Sequence, residues 1–162
     1  MPVPSQIADA ANNFQFNAGL LKKGFAGLTP EEWLRRPNEK SNHMLWVFCH
    51  VIWARGVTLK FLGVEYSQPW FPLFARGVKL DESAAYPTSD EANAAWEEVS
   101  AQLASALAGA SDDILSKPSP QGIPSADGKI SGLVGFLANH ETYHVGQIGY
   151  LRSWLGHDQV AG

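Results

Sequence analysis

The stretch from Met44 to Val57 constrains this chain more than any other, because as a helix it is apolar on almost every side. Leu45, Phe48 and Ile52 mark one face, while Trp46, Val47, Trp53, Ala54 and Val57 occupy the others. A helix of that kind needs cover on most sides, which further helices or a long folded-over connection can supply. Ser41 and Asn42 are good caps for its start, and Gly63 closes it after Leu62.

Three more helices are predicted around it. Ile7, Ala11, Phe14, Ala18, Leu21 and Phe25 alternate steps of four and three, the period of a helix burying one stripe, and this first helix ends near Gly27. LTPEEWLRRP then reads as a capped turn with a short helical piece, with Thr29 as cap, Pro30 in the first turn and Pro37 as the stop. The third helix follows the capping box of Thr88 and Glu91, buries Ala92, Ala95, Trp96, Val99, Leu103, Ala106 and Leu107, and ends near Gly109. The last runs from about Ser131 to Leu155, before Gly156. No useful length shows the alternation of a strand, so the expected fold is all-α, a four-helix bundle with long crossover connections and a single domain over residues 1–162.

Two connections are long. Residues 111–128 form a linker punctuated by Pro118, Pro120, Gly122 and Pro124. Residues 63–87 carry Trp70, Phe71, Leu73 and Phe74 among prolines and glycines, which predicts a functional loop packed over the bundle or a crossover with its own short helix. The all-round apolar second helix also predicts a homodimer packed on it, with Trp46 or Trp53 in the interface; the alternative is that this long loop covers it.

At 162 residues with 45% hydrophobic content, there is core enough for one domain. Twelve Lys and Arg are spread along a chain of net charge -4, so no basic patch marks nucleic acid or membrane as a partner. The N-terminus lacks the order of a signal peptide, and the longest apolar stretch, Met44 to Ala54, is interrupted by His50 and too short to span a bilayer. One cysteine, Cys49, excludes an internal disulfide framework and fits a reducing compartment, so the cytoplasm is expected.

The chemistry lies in the histidines. In His140-Glu141-Thr142-Tyr143-His144 a spacing of four sets two imidazoles one turn apart on one face. The buried stripe of this helix reads Val134, Leu137, His140 or Glu141, His144, Ile148, Leu151 and Leu155, so the imidazoles stand where apolar residues belong. Coordination of one divalent ion explains inward imidazoles, since it satisfies one ring nitrogen and leaves the other for a hydrogen bond. A third ligand is needed, and His50, midway along the apolar second helix, is the best candidate; His43 would line the mouth of the site and His157 lies in solvent beyond Gly156. Three imidazoles suit zinc, nickel, iron or copper, of which zinc or nickel is expected here and iron next, and leave positions open for water or substrate.

The pentapeptide also matches the zinc-peptidase pattern H-E-x-x-H. Gln147 and Tyr150 stand where the longer metzincin pattern has its glycine and third histidine, which speaks against a peptidase. Glu141, Tyr143 and Gln147 are the candidate catalytic residues: Glu141 as a base or as a hydrogen-bond partner to a ligand, Tyr143 as a polar wall, Gln147 as a donor to ligand or substrate one turn beyond His144. Cys49 points about 100° away from His50 on the helix and is a buried core thiol.

With these residues in view, the chain resembles the DinB-like family of bacterial four-helix-bundle proteins. The segment His140-Glu141-Thr142-Tyr143-His144-Val145-Gly146-Gln147-Ile148, followed by Leu151-Arg152, is similar to the family's signature in its last helix. His50 follows Leu28-Thr29-Pro30-Glu31-Glu32-Trp33-Leu34-Arg35-Arg36-Pro37 as the family's first histidine follows a similar segment. The resemblance implies an unusual crossover order, a homodimer, and a metal held by His50, His140 and His144. It further implies a transferase that uses a low-molecular-weight thiol of the bacillithiol or mycothiol type on a small electrophile, or a mycothiol-dependent isomerase. Val145 replaces an arginine often found in the family at that place, and the aromatic loop after Gly63 is a second departure. The competing expectations are a non-catalytic metal-binding or stress-response dimer, and a metal-assisted hydrolase.

Overall fold

The apolar helix becomes α2, Met44–Phe61, with 14 of its 18 residues buried, in a computed structural model that describes residues 2–160. Around it stand α1 (Ala8–Phe25), α3 (Ser89–Gly109), the single turn α4 (Asp112–Leu115) and α5 (Ile130–Trp154). Short 3-10 turns occupy Ser5–Ile7, Glu32–Leu34 and Phe71–Phe74, and among the described residues there is no strand. α5 packs against both α1 and α2, while α3 packs against α2. By length and composition α2 alone of the described helices is apolar enough to cross a membrane, yet 78% of it lies inside the bundle, whose core accounts for that composition.

The cover for α2 comes from the chain itself. The turn Phe71–Phe74 lies against it, Phe74 is fully buried, and Trp46 is buried beneath Phe74 with ring centroids 6.0 Å apart. The 63–87 segment packs over α2 and carries a short helical turn of its own.

Capping chemistry sets most boundaries. At α3, the Thr88 amide donates to Glu91 Oε2 at 2.7 Å and the Glu91 amide donates to Thr88 Oγ1 at 3.2 Å, the expected capping box. Thr29 and Glu32 make a second reciprocal pair before Glu32–Leu34. Gly63, at φ +84, closes α2 in a conformation that a side chain would strain.

Two boundaries correct the sequence reading. α2 is capped by His43 instead of Ser41 or Asn42: its Nδ1 accepts from the Trp46 amide at 3.0 Å, while the Ser41 hydroxyl is spent on Asn38 Oδ1. The linker 111–128 opens with α4, capped by Ser111, whose Leu115 is buried beside α5; one turn is too short for apolar periodicity to reveal.

Candidate metal centre

His50 sits midway along α2 and His140 and His144 one turn apart on α5, and the packing of these two helices brings the three rings together. One ligand atom from each lies within 4.8 Å of the others. His140 Nε2 is 3.4 Å from His50 Nε2 and 3.1 Å from His144 Nε2. Nitrogens each about 2.1 Å from a common ion would stand about 3.0–3.4 Å apart, depending on geometry, so these edges fit one ion.

The other ring nitrogens fix the tautomers. His50 Nδ1 lies 2.6 Å from the Phe74 carbonyl oxygen, which only accepts, so Nδ1 carries the proton and Nε2 presents its lone pair. His144 Nδ1 donates to Gln147 Oε1 at 2.7 Å, and the Gln147 amide nitrogen faces the Tyr143 hydroxyl at 3.4 Å. Two lone pairs thus point at the third imidazole, which even with its proton on Nε2 could serve only one of them, and a cation resolves the one left over. His140 Nδ1 is buried without a partner.

Burial is also the main reason these rings are weak bases. It pushes His140 and His144 down to about 4, assisted by repulsion from the neighbouring imidazoles, and pushes His50 down against the support of the Phe74 carbonyl. The rings are neutral near pH 7, which is the ligating form.

The sequence around His50 builds its clamp. Trp46 is four residues before it and Trp53 three after, so both indoles share its side of the helix. They stack on the imidazole at 5.3 and 5.2 Å, with interplanar angles of 10° and 24°. This role for the two tryptophans was not read from the sequence, nor was the Phe74 carbonyl, since a backbone acceptor leaves no residue signature.

The other candidates separate. Glu141 is 1% exposed on the core side of α5, where it makes a bidentate pair with Arg55 at 2.7 and 2.8 Å. It is therefore neither a surface carboxylate nor a base beside the histidines, and the H-E-x-x-H reading loses its glutamate. Burial pushes its carboxyl up, opposed by the Arg55 guanidinium, which also donates to Ser100 Oγ and the Phe14 carbonyl and lies 3.8 Å from the Trp96 ring centre. Arg55 was missed; a cation inside an apolar helix was the available signal. Tyr143 is 65% exposed and edges the His144 ring at 5.1 Å, so it borders the site beside Gln147.

His43 does not line the mouth of this site; its ring caps α2 and faces Tyr86 at 5.6 Å. His157 is not free in solvent either, since its Nε2 lies 3.0 Å from Glu32 Oε1. Cys49 is fully buried, and its thiol is pushed up by desolvation, which removes it as a nucleophile.

The family model of the DinB superfamily matches residues 14–148, which include α2, the three histidines and Gln147. No curated protein matches the chain.

Proposed function

The chain belongs to the DinB superfamily, and from that premise we propose that it is a divalent-metal transferase joining a low-molecular-weight thiol of the bacillithiol or mycothiol type to a small electrophile. The observation that carries this reading is the convergence of three imidazole nitrogens with tautomers set for ligation, leaving room in the coordination sphere for a further donor. Zinc or nickel suits this donor set first, and iron next.

A bound divalent ion would supply Lewis acidity that keeps the thiol as thiolate at neutral pH. The protein's own contribution is orientation. The Phe74 carbonyl and two indoles hold His50, Gln147 holds His144, and Tyr143 and Gln147 stand at the exposed border where a small molecule would enter. In the transfer, sulfur bonds to the electrophilic carbon as the bond to the leaving group breaks, and the thiol proton goes to solvent. The reading includes a homodimer in the cytoplasm, where such thiols are kept reduced; light scattering measures the assembly.

A second reading, a metal-binding module without catalysis, is favoured by the burial of His50 and His144. Metal analysis of tag-free protein and of His50→Ala, His140→Ala and His144→Ala, followed by bacillithiol or mycothiol with monochlorobimane, separates the readings. One ion per chain, lost in each variant, with metal-dependent thioether formation supports the transferase. Metal without turnover leaves the module, and absence of metal under replete conditions overturns both.

A further inference from the structure

A second feature lies at the N-terminal end of α2, two turns before His50. A cavity of about 530 Å³ opens there, lined by Trp33, Arg36, His43, Glu82, Ala84 and Tyr86 among others, a size that suits a small molecule and is too small for a docked helix. Its lining is mostly apolar, and its charged groups serve each other. Arg36 pairs with Glu82 and also donates to the Glu39 carbonyl. An anion would meet Glu82 and a cation would meet Arg36, so the cavity suits an uncharged guest.

His43 supplies the directional contact. Its side chain is 5% exposed, and its Nδ1 accepts from the Trp46 amide, so Nδ1 holds a lone pair and the ring proton is on Nε2. That N–H has no partner among the described residues and is not among the fully enclosed polar atoms, so it keeps some surface, on a residue that lines the cavity. Helix capping thus fixes a donor that nothing in the chain satisfies. The rings beside it are also set: the Tyr86 hydroxyl accepts from the Asp81 amide at 2.8 Å, and Trp33 stacks on Phe25 at 4.8 Å.

We propose that this cavity binds a neutral aromatic compound bearing a carbonyl group, which accepts a hydrogen bond from His43 Nε2 while its rings pack against Trp33 and Tyr86. The site is distinct from the metal centre, and Trp46 stands between them, its amide on His43 and its ring on His50.

Coumarin, a neutral bicyclic lactone, is the probe, with naphthalene as the ring lacking an acceptor and naphthoate as the charged analogue; amide NMR titration reads all three. His43→Ser keeps an oxygen to cap α2 while removing the ring donor, and Ala84→Phe fills the cavity without touching His43. The expected result is that coumarin binds in preference to naphthalene and naphthoate, and that His43→Ser lowers its preference over naphthalene by about fivefold, the scale of one neutral hydrogen bond. Ala84→Phe should weaken coumarin and naphthalene alike, by more than about tenfold. The proposal is overturned if wild-type protein fails to bind coumarin up to its solubility limit, if naphthoate binds tighter, or if neither substitution alters coumarin binding.

Discussion

α2 and α5 meet through two neighbouring polar clusters, and the contrast between them separates a structural device from a functional one. On the core side, Arg55 and Glu141 satisfy each other in a bidentate pair, and Ser100 and the Phe14 carbonyl take further guanidinium protons. In the second cluster, His50, His140 and His144 turn their Nε2 atoms toward one another, and the two anchored rings have no hydrogen to offer there. The first cluster is complete as it stands. The second leaves at least one ring lone pair unmet until a cation fills it, so burial there is spent on a site and not on the fold.

The largest effect should come from breaking the complete cluster. Glu141→Ala or Arg55→Ala leaves an uncompensated buried charge, and urea denaturation should show a loss of about 3–5 kcal/mol. The folded fraction should still bind metal with one ion per chain; metal loss at full folding would mean that Glu141 belongs to the site after all. The next effect is on the incomplete cluster. Metal at a hundred times its dissociation constant should stabilise wild-type protein by about 2.7 kcal/mol, and His50→Ala, His140→Ala and His144→Ala should abolish that gain. Stabilisation persisting in any of the three would place the ion elsewhere.

The two clusters were unequally legible in the sequence, for a geometric reason. His140 and His144 are four apart, so any helix sets them together, and His50 stands out in an apolar run. Glu141 was ambiguous because the buried stripe of α5 admits either position 140 or 141, and only its partner decides which turns inward. That partner, Arg55, is 86 residues away in sequence and carries no local pattern linking the two. The helices themselves were readable from periodicity and caps, as at Thr88 and Glu91. The single turn α4 and the His43 cap were not, because one is shorter than a period and the other uses a residue type seldom found as a cap.

Acid should sharpen the contrast in metal-free protein. His140 and His144, with values pushed to about 4 from an unfolded value near 6.5, bind protons more readily in the unfolded chain. Their contribution to stability is present above pH 6.5 and is lost progressively as pH falls toward 4. Denaturation midpoints of wild type and of a His140→Gln, His144→Gln double variant should therefore converge on acidification, the wild type losing more. Parallel profiles would mean that the cluster is not held neutral.

The smallest effect falls on Gln147, whose contact is local. Gln147→Leu removes the acceptor that keeps the proton on His144 Nδ1, so the ring is free to rotate or to exchange tautomers, and the Tyr143 hydroxyl is too exposed to replace it. Metal affinity should fall about tenfold, in line with losses seen when the hydrogen-bond partner of a ligating histidine is removed, while metal-free stability should change by no more than about 0.5 kcal/mol. Gln147→Glu makes the argument directional. A carboxylate accepts from Nδ1 more strongly than an amide does, raising the electron density at Nε2, so metal should be held at least as tightly as in wild type. Equal weakening in both variants would show that Gln147 acts by packing, and His144 would then owe its orientation to the helix alone.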